Sequence, residues 1–324
     1  MFFRALVSPL LALLAIPAAE AQQASLSGPH SGFLFDSPTS SIRPIIGIAG
    51  SAYLGPSIMN GLDFASVGPD GSNALVLQGG QLLAVSGLNS AAPQIAPLNT
   101  PFSSSMIIGW AKDGSRVVFA ASSGGTVIQS VRWTDGLPAL DPAMDLSSLG
   151  GTISALVLDA TLQRILIGIR DDAVGGVYLC DSGGSPTMLA AMADPSALAL
   201  STDGATAIAT DRHTGLVVRF SVGAVPASQT VLQNPDVLTD PVGVMPSNDG
   251  KTIYIADREK GVLACDVDSQ VCAAIASDVV PKGFILLTQS SVFLVSDRQT
   301  PTDPVVVFDS GAAAIYFVPG GSAQ

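Results

Sequence analysis

The segment Ser247-Asn248-Asp249-Gly250-Lys251-Thr252-Ile253-Tyr254-Ile255-Ala256-Asp257 holds a turn and the strand that follows it. Asp-Gly suits a tight connection because glycine enters the left-handed backbone region without a steric penalty, while Thr-Ile-Tyr-Ile is a run of β-branched and aromatic residues. Working outward, Pro241-Val242-Gly243-Val244-Met245 precedes the turn, and Gly261-Val262-Leu263-Ala264-Cys265 and Val271-Cys272-Ala273-Ala274-Ile275 follow the strand. Four short strands therefore lie between Gly, Pro, Ser and Asp punctuation. Asp70-Gly71, Asp113-Gly114 and Asp203-Gly204 repeat the turn, Asp159-Ala160-Thr161-Leu162 stands in the same relation to its neighbours, and Gln289-Ser290-Ser291 is a degraded copy.

A repeat of roughly 42–48 residues made of four strands is the period of one β-propeller blade. The expected fold is all-β: a propeller of about six four-stranded blades, at 62–100, 105–149, 152–192, 196–235, 241–277 and 282–319, with seven blades as the alternative. The alternative arises because Gly32-Phe33-Leu34-Phe35-Asp36-Ser37 copies Val306-Val307-Phe308-Asp309-Ser310, and Ile42-Arg43-Pro44-Ile45-Ile46 follows it as a fourth strand would. Residues 22–61 are thus read as an N-terminal segment with a partial blade, an outer-strand hairpin at about 33–47, ahead of a propeller over 62–324. Many strands are apolar at consecutive positions, which fits sheets covered on both faces by neighbouring blades.

The stretch 247–257 resembles the repeat of the YVTN and NHL type of β-propeller, and the likeness extends loosely over about 60–320. The resemblance implies architecture. It implies little about function, because propellers of this kind are reused for unrelated tasks.

Phe2-Phe3-Arg4, an apolar run from Ala5 to Ile16 and the small-residue end Ala19-Glu20-Ala21 have the layout of a secretory signal peptide over 1–21, cleaved before Gln22. No segment is long and apolar enough to be read as a transmembrane span, so the product is expected in the periplasm or outside the cell. The formal net charge is −12 and the lysines are scattered at Lys112, Lys251, Lys260 and Lys282, which argues against nucleic acid as a partner. Cys265 and Cys272 flank a short turn and are expected to form a disulfide in an oxidising compartment. Cys180 holds the matching place in its own repeat, where other repeats carry Phe35, Phe220 and Phe308, so it reads as a small buried hydrophobe.

The most regular polar feature is an Asp-Arg pair ending the second strand of three repeats: Asp211-Arg212, Asp257-Arg258 and Asp297-Arg298, with Arg170-Asp171 near the same place in another. Two roles compete for these acids. Each carboxylate accepts N–H bonds within its own turn, or together Asp171, Asp211, Asp257 and Asp297, with His213 and Glu259, form an arc that holds a polar ligand or a divalent cation at the channel mouth. No cofactor is otherwise called for. Cys-x-x-Cys, His-Glu-x-x-His and Gly-x-Ser-x-Gly are absent, and the Gly-Gly pairs at 79–80, 124–125 and 175–176 fall at β-turns. No catalytic residue is assigned. Trp133, in Arg132-Trp133-Thr134-Asp135, is a candidate exposed anchor, and Trp110 is expected to pack at a strand end.

The expected function is an exported, non-catalytic propeller that binds an unknown protein or a small polar ligand. A metal-assisted propeller hydrolase or lactonase is the enzyme alternative. A third reading makes the chain a cell-envelope assembly component, with the partial blade pairing to another subunit's edge strand.

Overall fold

The computed structural model describes residues 30–320, apart from 91, 101–105, 122–125, 160–163, 172–174, 182–184, 202, 223–226 and 289–290. The proposed signal peptide, the Gly124-Gly125 pair, the 160–162 part of the third-repeat turn and the Gln289-Ser290 turn lie outside the described residues. Seven antiparallel sheets follow one another along the chain. Blade 1 comprises β1 (His30–Asp36), β2 (Ser41–Ile46), β3 (Tyr53–Leu54) and β4 (Met59–Asn60), and blade 2 comprises β5 (Phe64–Val67), β6 (Ala74–Gln78), β7 (Gln81–Ser86) and β8 (Gln94–Pro97). Blade 3 has β9 (Met106–Trp110), β10 (Arg116–Ala121), β11 (Val127–Thr134), β12 (Leu137–Leu140) and β13 (Met144–Asp145). Blade 4 has β14 (Thr152–Leu158), β15 (Arg164–Arg170), β16 (Gly176–Asp181) and β17 (Thr187–Ala191). Blade 5 has β18 (Pro195–Leu200), β19 (Thr206–Asp211), β20 (Leu216–Ser221) and β21 (Ser228–Gln233). Blade 6 has β22 (Pro241–Pro246), β23 (Thr252–Asp257), β24 (Gly261–Asp266) and β25 (Cys272–Ala276), and blade 7 has β26 (Ile285–Leu286), β27 (Val292–Ser296), β28 (Val305–Asp309) and β29 (Ala314–Val318).

Of the two blade counts the sequence leaves open, the structure has seven. The six-blade count fails because residues 30–60 form a sheet of their own in the ring. Their hairpin also sits one rank further in than expected. Blade 3 shows why: its third strand, β11, carries two short outer strands, β12 and β13, and in blade 1 it is β2 that carries β3 and β4. β2 is therefore a third strand and β1 a second. Consistently, β1 packs beside β5 of the next blade just as β15 packs beside β18 and β19 beside β22. Phe35 thus belongs to a second strand and is not the counterpart of Cys180, Phe220 and Phe308, which lie on third strands.

The core is divided among the gaps between blades. Each of the seven neighbouring blade pairs encloses its own cluster of buried side chains. Between blades 5 and 6, for example, Ile208 and Val217 meet Val244, Ile253 and Ile255. This is why consecutive strand positions are apolar: both faces of each sheet leave water, at about 1.5–3 kcal/mol for each large side chain fully buried. Cys180 lies in the cluster between blades 3 and 4, where burial pushes its thiol up to about 12, so it stays protonated and inert. Cys265 and Cys272 stand opposite each other on β24 and β25 and are disulfide-bonded.

The turns share one geometry. Gly71, Gly114, Gly204 and Gly250 all have φ between +68° and +71°, and each donates its N–H to the carbonyl three residues back. Gly114 has a second constraint, since a Cβ there would lie 2.3 Å from the Asp70 carboxyl carbon of the neighbouring blade.

Blade 7 meets blade 1 through Leu34, Ile45 and Leu54 on one side and Leu287, Val305, Val307 and Val318 on the other. At the end of this seam lies a buried ion pair between residues 262 positions apart: Arg298 Nε donates to Asp36 Oδ1 at 2.6 Å, and its Nη2 donates to Asp36 Oδ2. Both side chains are shut off from solvent, at 1% and 0% exposure. Thr39 Oγ1 and Arg43 Nη1 also donate to Asp36 Oδ2. Burial by itself would raise the Asp36 carboxyl, but the hydrogen bonds from Arg298, Thr39 and Arg43, with the Arg298 charge, hold it below the usual 3.8.

A carboxyl whose pKa is depressed by folding contributes stability above its unfolded value and loses it as pH falls through the folded value. Asp36→Asn should therefore be less stable than the parent at pH 7 by roughly 3 kcal/mol, as expected when one member of a buried pair is removed. That deficit should shrink as the pH is lowered below about 4. Urea denaturation at pH 7 and pH 3 checks both points.

Candidate functional site

Turns that follow first strands and turns that follow second strands lie on opposite faces of the disc, because successive strands are antiparallel. One face carries the Asp-Gly turns. The other carries the Asp-Arg turns and the links between blades.

On the Asp-Arg face, Asp211 ends β19 and is 1% exposed. Its Oδ1 accepts the N–H of His213 at 2.9 Å and of Thr214 at 3.0 Å, and its Oδ2 accepts the N–H of Asp194 at 3.2 Å. Asp257 ends β23 and is fully buried. Its oxygens accept the N–H groups of Thr239, Asp240, Glu259 and Lys260 and the hydroxyl of Thr239, at 2.9–3.1 Å. These carboxylates join the turn after the second strand to the incoming link from the preceding blade. Asp297 follows β27 and pairs with Lys282. Asp171 follows β15 and is partly exposed, close enough for its charge to add to burial in raising the Tyr178 hydroxyl. His213 and Glu259 are exposed.

The predicted arc thus shares one face and spreads over blades 4 to 7, with Asp211 and His213 together on blade 5 and Asp257 and Glu259 together on blade 6. Among the described residues, no three His, Cys, Asp or Glu side chains are grouped closely enough to hold a metal ion. The arginines instead make a chain of charge across blades 5 and 6: Asp194–Arg212 at 3.6 Å, Arg212–Asp240 at 2.7 Å and Arg258–Asp240 at 3.2 Å. Arg212 and Arg258 are one-third to one-half exposed, so each link contributes little. Arg298 departs from the pattern by turning inward to Asp36.

The Asp-Gly face holds a cleft of about 310 Å³ between blades 5 and 6, lined by Ser201, Asp203, Thr206 and Arg219 on one side and Ser247, Asn248 and Asp249 on the other. Ser201 and Ser247 each donate to the aspartate two residues on, at 2.6 Å, and the N–H groups of Ala205 and Lys251 complete each turn. Those hydroxyls first, and then the amides, lower the carboxyl pKa of Asp203 and Asp249. Both are anionic near neutrality, and Arg219 beside them donates to Gln229 at 3.1 Å. In the sequence, Asp203-Gly204 and Asp249-Gly250 read as turn signals, and the Ser-x-Asp-Gly pattern around each carries no expectation of a site. That it recurs in the adjoining repeats at 201–204 and 247–250 is the signal that could have placed two such turns side by side.

Trp133 is not an exposed anchor. It is 7% exposed and stacks on Trp110, ring centroids 5.5 Å apart, while Trp110 Nε1 donates to Ser66 Oγ at 2.9 Å.

No protein-family model and no curated protein matches the chain. Solved structures do. A functionally unknown protein from Desulfotomaculum acetoxidans is similar with a TM-score of 0.58 at 13% identity, over 89% of this chain and 98% of that one. A candidate 6-phosphogluconolactonase from Bacteroides fragilis gives 0.59 at 15% identity over 90% and 93%, and another from Bacteroides uniformis gives 0.60 at 14% over 90% and 94%. At such identities the likeness shows the fold alone, a β-propeller.

Because Asp257 is buried and accepts five hydrogen bonds, Asp257→Ala should lose about 3 kcal/mol of stability through unpaired amides. Glu259→Ala should lose almost none. Chemical denaturation of the two variants measures the difference.

Proposed function

We propose that this chain is an exported, non-catalytic propeller that binds a polar, positively charged partner group on its Asp-Gly face. The carrying observation is the cleft between blades 5 and 6, where Asp203 and Asp249 present carboxylates fixed by their own turns, next to Asn248 and Arg219. Such a site suits an ammonium or guanidinium group, as a small ligand or as a side chain on a protein partner, since rigid carboxylates cost little to organise. The Cys265–Cys272 disulfide supports an oxidising compartment. Among the described residues, no helix is long and apolar enough to cross a membrane.

A second reading, a metal-assisted lactonase, is favoured by the two candidate lactonases among the similar structures. It would use a divalent cation on the arc of Asp171, Asp211, Asp257, Glu259 and Asp297. Against it, the oxygens of Asp211 and Asp257 already serve backbone amides, and carboxylates engaged in this way are poor cation ligands.

One pair of assays separates the readings. Titration with an N-acetylated Lys-Arg dipeptide amide, followed by NMR, should perturb the amides of 203–206 and 247–251, and the perturbation should vanish in the Asp203→Asn, Asp249→Asn double variant. Lactone substrates assayed with Mg²⁺, Ca²⁺ or Zn²⁺ should show no turnover. Hydrolysis that EDTA stops, with no response to the dipeptide, would replace the binding reading with the enzyme one.

A further inference from the structure

The cleft between blades 5 and 6 is lined by a cation as well as by its two carboxylates. In blades 4, 5 and 6 the second-strand residues Leu166, Ile208 and Tyr254 face the next blade, and each lies in the buried cluster there. Opposite them on the third strands stand Leu179, Arg219 and Ala264. Leu179 and Ala264 pack against those same clusters. Arg219 therefore sets a charge at a place where the neighbouring blades pack an apolar side chain. Its guanidinium donates to the neutral amide oxygen of Gln229 at 3.1 Å, and among the described residues it forms no ion pair. Arg164, Arg212 and Arg298, by contrast, each reach a carboxylate. A half-buried guanidinium without an opposite charge carries a desolvation cost that a bound anion would offset.

We infer that the cleft takes a Lys or Arg residue with a free α-carboxylate, its side-chain cation on Asp203 and Asp249 and its carboxylate on Arg219. This rests on the cation-binding reading of the same cleft and adds the anionic half of the ligand. A carboxylate matches the planar fork of a guanidinium, and the free carboxylate at a chain end is a group that proteins capture specifically. A phosphate suits the place less well, because its second negative charge would sit beside Asp203 and Asp249. Ile208, Pro246 and Ile253 complete the lining, and the methylene stem that separates the two charges of a basic residue is suited to an apolar wall. At about 310 Å³ the cleft is at the small end of ligand pockets, with room for one residue rather than for a long peptide.

The test compares N-acetyl-Lys-Arg bearing a free carboxylate with its amide, both titrated into the whole protein and followed by NMR. The acid should bind at least about tenfold more tightly than the amide. General attraction to an acidic protein predicts the reverse order, since the amide carries one more net positive charge. In Arg219→Gln the preference for the acid should disappear, with amide signals remote from the cleft unchanged as the check on folding. If the amide binds and the acid binds no better, this inference falls and the cation-binding reading stands. If neither peptide perturbs 203–206 and 247–251, that reading falls with it. A preference that survives Arg219→Gln also overturns the inference, because Lys251, whose charge acts on Asp249, would then hold the carboxylate. L-arginine distinguishes the sources: binding equal to that of the peptide acid makes the ligand a free amino acid, and binding by the peptide acid alone makes it a chain end, either result bearing out the paired charges.

Discussion

The buried ion pair between Arg298 and Asp36 fixes where the ring closes. A propeller is assembled from consecutive blades, each packed on the one before, and the last must meet the first with nothing in the sequence to bring them together. Among the described residues, all the strands of blade 7 come from the C-terminal end of the chain, and no strand from the N-terminal side is laced into it. The seam rests on apolar packing of Leu34, Ile45 and Leu54 against blade 7 and on a two-toothed contact between a guanidinium and a carboxylate. Apolar packing tolerates sliding, whereas a bidentate Arg–Asp contact accepts one geometry. Burying the two charges carries a desolvation cost that the pair roughly offsets, so its effect lies more in setting the register of closure than in added stability. Arg43 extends the cluster by holding Gly55 and Leu54 carbonyls of blade 1, which ties the outer strands of that blade to the same centre.

Asp211 and Asp257 on one face of the disc are buried, whereas Asp203 and Asp249 on the other are exposed. Asp211 and Asp257 are spent on orienting the links between blades, and their shielding from solvent is the physical reason they do not gather into a site. The turns at Asp203 and Asp249 use one carboxylate oxygen each, Oδ1, and both residues line the cleft. An ordinary turn residue thereby becomes available for binding wherever two blades set such turns side by side. The proposed function rests on that availability and not on the arc of aspartates that the sequence makes most conspicuous.

Most of the architecture was legible because the Asp-Gly turns and the apolar strands after them repeat in residue type as well as spacing. The disulfide was legible because its cysteines flank a short turn, and the buried state of Cys180 because its repeat position is apolar elsewhere. Blade 1 was harder to place. Its strand Phe33-Leu34-Phe35-Asp36 matches a third strand such as Val306-Val307-Phe308-Asp309 and a second strand such as Ile253-Tyr254-Ile255-Ala256-Asp257 about equally well. The two outer strands that β2 carries and the packing of β1 against β5 tell the two apart. Arg298 was misleading for a similar reason: Asp297-Arg298 looks like Asp211-Arg212 and Asp257-Arg258, yet its neighbour across the seam is a buried aspartate and not an exposed one. The stacking of Trp133 on Trp110 was hidden because the partners come from different strands.

The account stands or falls on whether closure depends on the ion pair as a unit. A double-mutant cycle on Asp36→Ala and Arg298→Ala, read by equilibrium denaturation, measures this directly. The account predicts that each single change costs several kcal/mol and that the double variant is little worse than either, a coupling of at least about 2 kcal/mol, since removing one partner leaves the other charged and buried. Additive losses would mean that the two side chains act independently and that the apolar seam alone closes the ring.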